Sequence, residues 1–195
     1  MRIILLVGPS GSGKDSLLRF ARKAFKSDAS IVFARRYITR PPDTSEDNYY
    51  IDAIAFAHLE AAGFFLSTWR AHGNLYGIAD HLFSDRQPYA VLICPVSRAA
   101  IADFEGHDPH ATTIEISVDK DVLRKRLQGR GREQDGDIDR RLRRADQPVL
   151  ARNHIRFDNS APLERSGQRF VTLLNSLTVQ SCPVDRTVTV FEVNR

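Results

Sequence analysis

The sequence contains little of what stabilises secreted or membrane proteins. It has only two cysteines, Cys94 and Cys182, which lie far apart and show no metal-ligand spacing. No apolar run approaches the about 20 residues that a membrane span needs. Arg2 is followed by only a short apolar run before Gly8, so nothing at the start resembles a signal peptide. These shortages favour a cytoplasmic protein in a reducing compartment, with no membrane partner.

Patterns for metal chelation and nucleic-acid binding are also scarce. The sequence has six histidines, and none of them forms a pair with metal-ligand spacing. The net charge is only +4, and no recognition motif or repeat of basic and aromatic residues accompanies the arginines. An anionic small molecule therefore explains the arginines better than nucleic acid does.

The beginning of the chain carries the most specific motif. An apolar run at 2–7 predicts a buried strand, a G-x-x-x-x-G-K turn follows at 8–14, and helical spacing begins after it. This is the context of a phosphate-binding loop, in which glycines let backbone N–H groups converge on an anion at a helix N-terminus. Lys14 adds a charge toward the terminal phosphates. The predicted ATP-binding residues are Gly8, Pro9, Ser10, Gly11, Ser12, Gly13, Lys14, Asp15 and Ser16.

The residue after Lys14 departs from the motif. Phosphate-binding loops usually carry Ser or Thr there, whose hydroxyl binds Mg²⁺, but this chain has Asp15. A carboxylate is a stronger Mg²⁺ ligand, although it adds negative charge beside the phosphates. Ser16 is a second candidate metal ligand, and the alternative for Asp15 is a cap on the first helical turn. The sequence leaves both roles of Asp15 open.

Apolar and helical stretches alternate along the rest of the 195 residues. Strands are expected at 31–34, 64–69, 89–94, 112–118, 155–158 and 187–191, and a turn at 72–77. Helices are expected at 15–25, 53–62, 120–128, 137–144 and 163–177. Strands alternating with helices predict a single α/β domain with the three-layer P-loop NTPase fold and a mostly parallel sheet.

The order of the motifs resembles the guanylate kinase family up to about Leu177. After the loop at 8–14 come Y-I-T-R-P at 37–41, N-Y at 48–49, H-G-N-L-Y-G at 72–77 and L-x-x-R-L-x-x-R-G at 123–131. The resemblance implies a guanylate-kinase-like kinase with an acceptor-binding region at about 35–80 and a lid at about 129–145. Residues 178–195 would then form a C-terminal extension.

The resemblance also implies roles for individual residues. The acceptor-binding residues are Arg36, Arg40, Tyr49, Tyr76, Arg132 and Arg141. ATP would be held by the loop with Arg126 and Arg130, with Asn159 beside the adenine and Mg²⁺ near Asp15 or Ser16. The catalytic set is Lys14, Arg40, Arg130 and Arg141. Arginine suits this chemistry because phosphoryl transfer needs positioning and charge neutralisation, and a phosphate acceptor needs no general base.

Several departures from guanylate kinases concern the acceptor. The second arginine of the R-x-P-R pattern is absent, and Cys94-Pro95-Val96-Ser97-Arg98 lacks the usual aspartate at the strand end. Ser67 stands where that family reads guanine with a glutamate, and Ile78 stands where it has Ser or Thr. A pocket without its base-reading carboxylate would leave the polar groups of guanine unpaired. The loss of the strand-end acid also suggests that the carboxylate near Mg²⁺ has moved to Asp15.

These departures together resemble a sister group, the ribose 1,5-bisphosphate phosphokinases of phosphonate degradation. The matching segments are G-P-S-G-S-G-K-D-S-L-L at 8–18, R-Y-I-T-R at 36–40, W-x-A-H-G-x-x-Y-G-I at 69–78 and R-L-x-x-R-G-R-E at 126–133. The implied reaction uses ATP to convert ribose 1,5-bisphosphate to 5-phosphoribosyl 1-diphosphate and ADP. The alternatives are a guanylate kinase and a non-catalytic binding module. The oligomeric state, a homodimer included, is left open.

Overall fold

The computed structural model describes residues 1–41, 47–84, 89–128, 142 and 147–179. Within these ranges, no helix combines the length and the apolar character that crossing a bilayer requires. The strand predicted at 187–191 lies outside the described residues. The helix predicted at 137–144 lies outside them too, except for Leu142, which packs with Leu123 and Leu127.

The described chain alternates strands and helices. The strands are β1 Arg2–Val7, β2 Ile31–Phe33, β3 Tyr37–Ile38, β4 Tyr49–Tyr50, β5 Phe65–Ala71, β6 Asn74–Ala79, β7 Val91–Pro95, β8 Thr112–Ser117 and β9 Asn153–Asp158. The helices are α1 Lys14–Ala24, α2 Ala53–Ala61, α3 Ile101–His107, α4 Lys120–Gln128 and α5 Leu163–Val179. Two short 3₁₀ segments lie at Asp80–Phe83 and Arg98–Ala100.

A five-stranded parallel sheet in the order β2-β7-β1-β8-β9 forms the centre. On one face, Ile4 of β1 packs with Leu17 of α1 and Phe170 of α5. On the other face, Leu5 packs in a cluster that contains Phe104 of α3. Because both faces are covered, the buried residues 3–7 of β1 are all apolar. This arrangement confirms the predicted three-layer α/β fold with a parallel sheet.

A second sheet of four strands, in the order β4-β3-β6-β5, lies beside the first. Strands β5 and β6 form an antiparallel hairpin across His72 and Gly73, which have φ of 50° and 75°. Positive φ at both turn residues is typical of two-residue hairpins. The prediction of a turn at 72–77 was therefore too long, because strand β6 begins at Asn74.

The side chains of this second sheet divide between two faces. The register pairs Ile38 with Tyr76 and Tyr76 with Trp69, so these three residues share one face, here called the Tyr76 face. Tyr37 lies on the opposite face, the Tyr37 face, where its ring meets Phe64 at 5.2 Å. The faces matter for function because Arg36, which lies beside the Tyr76 ring, also contacts Asp15 on α1.

Candidate active site

The loop between β1 and α1 is confined by its neighbours. Gly13 has φ of 83°, and a Cβ there would lie 2.6 Å from Nδ2 of Asn159. Gly11 has φ of 85°, and its Cβ would lie 2.9 Å from Cδ2 of Leu127 on α4. Only glycine accepts both the backbone conformation and this lack of space. Backbone N–H groups of the loop are thereby held at the N-terminus of α1, where an anion is favoured.

Lys14 begins α1 and folds back across the loop. Its Nζ donates to the carbonyl oxygens of Gly8 at 2.6 Å and Pro9 at 3.2 Å. The ammonium therefore lies beside the first two residues of the loop.

Hydrogen bonds from Asn159 and Arg126 hold the backbone of the loop in place. Buried Asn159 donates from Nδ2 to the carbonyl of Ser12 at 2.6 Å, and Arg126 donates from Nη2 to the carbonyl of Asn159 at 3.0 Å. Burial lowers the pKa of Arg126, while the charge of Asp158 raises it. The sequence associated Asn159 with the adenine, whereas its side-chain amide contacts the backbone of the loop.

Asp15 is the second residue of α1 and not its N-cap, which is Gly13. The carboxylate instead accepts from Nη2 of Arg36 at 3.2 Å. This corrects the alternative in which Asp15 caps the helix. Nε of the same Arg36 donates to Oδ1 of Asn48 at 3.0 Å. Arg36, which precedes β3, thus contacts both α1, through Asp15, and the segment that precedes β4, through Asn48.

The Tyr76 ring lies next to Arg36, and a second ring stacks on it. Its guanidinium carbon is 5.9 Å from the ring centroid of Tyr76, within the range of a cation–π contact. Tyr76 in turn stacks on Trp69 with centroids 5.7 Å apart and an interplanar angle of 6°. Tyr76 is only 7% exposed, so the stack gives Arg36 a firm support.

The two tyrosines predicted to bind the acceptor lie on different faces. Tyr49 pairs with Tyr37, their rings are 4.8 Å apart, and Tyr49 is 44% exposed on the Tyr37 face. Tyr50, one residue later, pairs with Ile38 and shares the Tyr76 face. Tyr50 was not singled out from the sequence. The period of two along a strand, applied to the pair 49–50, is the signal that could have found it.

Arg40 lies just beyond the end of β3. Thr39 donates its N–H to the carbonyl of Leu75 at 3.2 Å, and the Leu75 N–H donates to Oγ1 of Thr39 at 3.0 Å. These bonds continue the pairing of β3 with β6 beyond Ile38. They keep half-buried Arg40 beside β6. The predicted lid arginines Arg130, Arg132 and Arg141 lie outside the described residues.

The positions at which this chain differs from guanylate kinases carry buried side chains. Ser67, Ile78 and Val96 are all buried, the last two in the apolar cluster beneath the central sheet. The Ser67 hydroxyl donates to Oδ2 of Asp103 on α3 at 2.6 Å. The helix α3 was not predicted, because its seven residues are too few for a clear helical period. Asp103 is accordingly a polar partner that the sequence did not indicate.

The oxygen donors near Lys14 suit a lightly held Mg²⁺. They are the carboxylate of Asp15 and the hydroxyl of Ser16, in the first turn of α1. Among the residues that the structure describes, no group of three acidic, His or Cys side chains could hold a metal. Mg²⁺ at phosphate sites commonly takes one or two protein oxygens, with phosphates and water completing its shell. The donor set fits a metal of that kind.

No family model matches the chain. The chain is 44% identical over 142 residues to "Ribose 1,5-bisphosphate phosphokinase PhnN" of Methylobacterium radiotolerans, over 73% of this chain and 81% of that protein. It is 38% identical over 180 residues to the protein of the same name from Desulfomicrobium baculatum, over 91% and 96% of the two chains. With that from Achromobacter xylosoxidans it shares 40% identity over 166 residues, or 84% and 86%.

Among solved structures, guanylate kinase from Anaplasma phagocytophilum superposes with a TM-score of 0.65 over 93% of this chain and 88% of that one. Its sequence is only 18% identical, so this likeness concerns the fold. It confirms the guanylate-kinase-like fold that the motifs predicted. The identity of 38% to 44% with the curated relatives, over most of both chains, goes further. By these similarities, the chain belongs to the ribose 1,5-bisphosphate phosphokinase family.

Proposed function

We propose that this protein is a kinase that uses ATP to phosphorylate the 1-phosphate of ribose 1,5-bisphosphate. The products are 5-phosphoribosyl 1-diphosphate and ADP. One observation carries the proposal: Asp15 of the phosphate-loop helix contacts Arg36 of the Tyr76 face at 3.2 Å. A phosphate donor on the loop and a phosphate acceptor on Arg36 would therefore be neighbours.

The donor side is built mainly from backbone. The loop at 8–14 offers N–H groups to the ATP phosphates, and Lys14 places a positive charge beside them. In the reaction, an acceptor phosphate oxygen forms a bond to the γ-phosphorus while the bond from that phosphorus to the β–γ bridging oxygen breaks. We assign to Lys14 the stabilisation of the charge that moves onto the departing ADP.

The acceptor side is built from side chains. We assign Arg36 and Arg40 to the 1-phosphate, and the stack of Tyr76 on Trp69 supports Arg36. The attacking oxygen of a phosphate is already ionised, so its activation requires orientation and no general base. We assign Tyr50 to this side in preference to Tyr49, because Tyr50 shares the Tyr76 face.

A sugar bisphosphate suits this cleft better than a guanine nucleotide does. Ile78 and Val96 are buried and apolar, and buried Ser67 donates to Asp103. None of these three positions offers a carboxylate to the edge of a purine. A guanine bound beside them would lack the carboxylate partner that the guanylate kinase pattern supplies, at a cost of about 1–3 kcal/mol for each unpaired polar group.

Mg²⁺, when bound, would neutralise the phosphate charges and orient the terminal phosphate. Asp15 and Ser16 are the residues that would hold it, and Arg126 and Asn159 keep the loop in place beside them. We assign Arg130, Arg132 and Arg141 to a lid at about 129–145 that neutralises the transferring phosphate. The reaction belongs to phosphonate degradation in the cytoplasm.

A coupled assay of ADP release tests the substrate. We expect turnover with ribose 1,5-bisphosphate and, at the same enzyme concentration, little or none with GMP. Mass spectrometry should identify 5-phosphoribosyl 1-diphosphate as the second product. A preference for GMP would replace this proposal with guanylate kinase activity, and no ADP release with either acceptor would favour a binding module.

A further inference from the structure

Asp15 stands where a phosphate-binding loop ordinarily carries a hydroxyl. Its carboxylate has a specific partner, since Oδ1 accepts from Nη2 of Arg36 at 3.2 Å. The Arg36 side chain is 12% exposed and that of Asp15 is 33% exposed. The pair is therefore partly shielded from water, where a charge-assisted bond is stronger than one on an open surface.

Contacts with three parts of the chain help to orient Arg36. Nη2 faces Asp15 on α1, Nε donates to Asn48 before β4 at 3.0 Å, and the guanidinium lies 5.9 Å from the Tyr76 ring centroid on β6. The contacts to Nε and Nη2 fix the plane of the guanidinium. An arginine fixed in this way meets a phosphate in a defined orientation.

We propose that Asp15 is a positioning residue of the acceptor site, which orients Arg36 for the acceptor phosphate. This inference rests on the proposed function. Serine or threonine at position 15 cannot do the same, because a hydroxyl ends one bond closer to the backbone than a carboxylate oxygen. The departure of the loop from its usual sequence thus serves the acceptor, and it physically joins the donor loop to the acceptor sheet.

The inference separates from a metal role when metal and ATP are absent. Binding of ribose 1,5-bisphosphate is measured by calorimetry in EDTA without nucleotide, for the wild type and Asp15→Ser. Serine restores the usual loop residue but loses the contact with Arg36. We expect the Kd for the acceptor to rise roughly tenfold, as for a lost hydrogen bond to a charged group. A role confined to Mg²⁺ would leave this Kd unchanged and would overturn the inference.

A double-mutant cycle tests whether the effect passes through Arg36. Asp15→Ser should have little further effect on the acceptor Kd in an Arg36→Gln background. The matched control is Asp47→Ser, which removes another carboxylate from the same hollow. Asp47 pairs with Arg22 and Arg35 and should leave the acceptor Kd unchanged. An equal effect of Asp15→Ser with and without Arg36 would overturn the inference.

Repeating the cycle with inorganic phosphate distinguishes the inference from the proposed function. Wild type that binds phosphate with the same coupling, but does not bind ribose 1,5-bisphosphate, would refute the proposed substrate and support the role of Asp15. Wild type that binds neither would overturn both. Unchanged melting temperatures show that the variants are folded, and a loss of acceptor affinity with an unchanged melting temperature excludes a merely structural role.

Discussion

The two sheets of this protein build their parts of the site by different means. The five-stranded sheet is parallel and buried on both faces, and it ends in a loop whose backbone forms the predicted phosphate site. The four-stranded sheet is mixed, contains strands of only two residues, and presents side chains from several segments. A site made of backbone groups depends on the conformation of the loop, whereas a site made of side chains depends on the contacts that orient them. Substitutions in the two regions should therefore change different measured properties.

The largest expected effect concerns the charge over the loop. Lys14→Ala should lower turnover by roughly 10²–10⁴, because a contact that stabilises the transition state is lost. The melting temperature should change little, since the ammonium donates to carbonyls of the loop next to it in sequence. Initial rates at saturating substrates and a thermal melt check this. Near-normal turnover in the folded variant would refute the assignment of the loop.

Arg40→Gln tests the side-chain region. We expect the KM for ribose 1,5-bisphosphate to rise roughly 10- to 100-fold, which corresponds to about 1.5–3 kcal/mol for a bond to a charged group. The KM for ATP should stay within about twofold, because we assign Arg40 to the acceptor and not to ATP. Initial rates with each substrate varied in turn measure both constants. If the ATP constant alone changes, Arg40 belongs to the donor region.

Two glycines with similar backbones distinguish strain from function. Gly13 and Gly73 have φ of 83° and 75°, but a Cβ would meet Asn159 only at Gly13, while nothing lies within 4 Å at Gly73. Alanine at Gly73 should cost roughly 1–2 kcal/mol of unfolding free energy, and alanine at Gly13 should cost more because of the collision with Asn159. Only Gly13→Ala should also weaken ATP binding, by roughly tenfold, since it displaces the buried amide. Denaturant unfolding and ATP titration measure the two effects, and equal ATP affinities would contradict the confined loop.

The smallest expected effect is the reactivity of a thiol, which tests whether the centre of the five-stranded sheet is inaccessible to solvent. Cys94 on β7 is fully buried, and burial raises the pKa of its thiol. Because the thiolate is the reactive form, the native thiol should stay unreactive with Ellman's reagent at pH 8. In a Cys182→Ser variant, no thiol should react before unfolding and one should react in guanidinium. Rapid reaction of the native variant would show that β7 is accessible.

The sequence predicted the larger sheet well because its signals are local. The apolar run at 2–7, the glycine turn and the helix after Lys14 are adjacent in the chain, and each has its own period. The strand at 112–118 and the helix at 120–128 were located for the same reason, and Asp119 caps that helix through bonds to the N–H groups of Asp121 and Val122.

The smaller sheet could not be predicted to the same depth because its order comes from pairing. The two-residue strand β3 is too short to show a period, and it is defined by partners in β4 and β6. The contact of Asp15 with Arg36 spans 21 positions, and that of Ser67 with Asp103 spans 36. The motifs identified Arg36 and Tyr76 as candidate residues. Only the pairing of the strands showed that they lie on the same face of the sheet.

The proximity of Gly11 to α4 has a consequence for how the sequence can change. A methyl group at position 11 would meet Leu127 at 2.9 Å and Leu123 at 3.0 Å. The leucine side chains of α4 therefore occupy the space that a side chain at position 11 would need. Shortening Leu127 alone would leave a cavity, and enlarging Gly11 alone would displace the loop. Each single substitution is expected to be harmful, and the second would lessen the damage of the first. This pair should therefore show strong epistasis, with some strain from the positive φ of Gly11 remaining in the double variant.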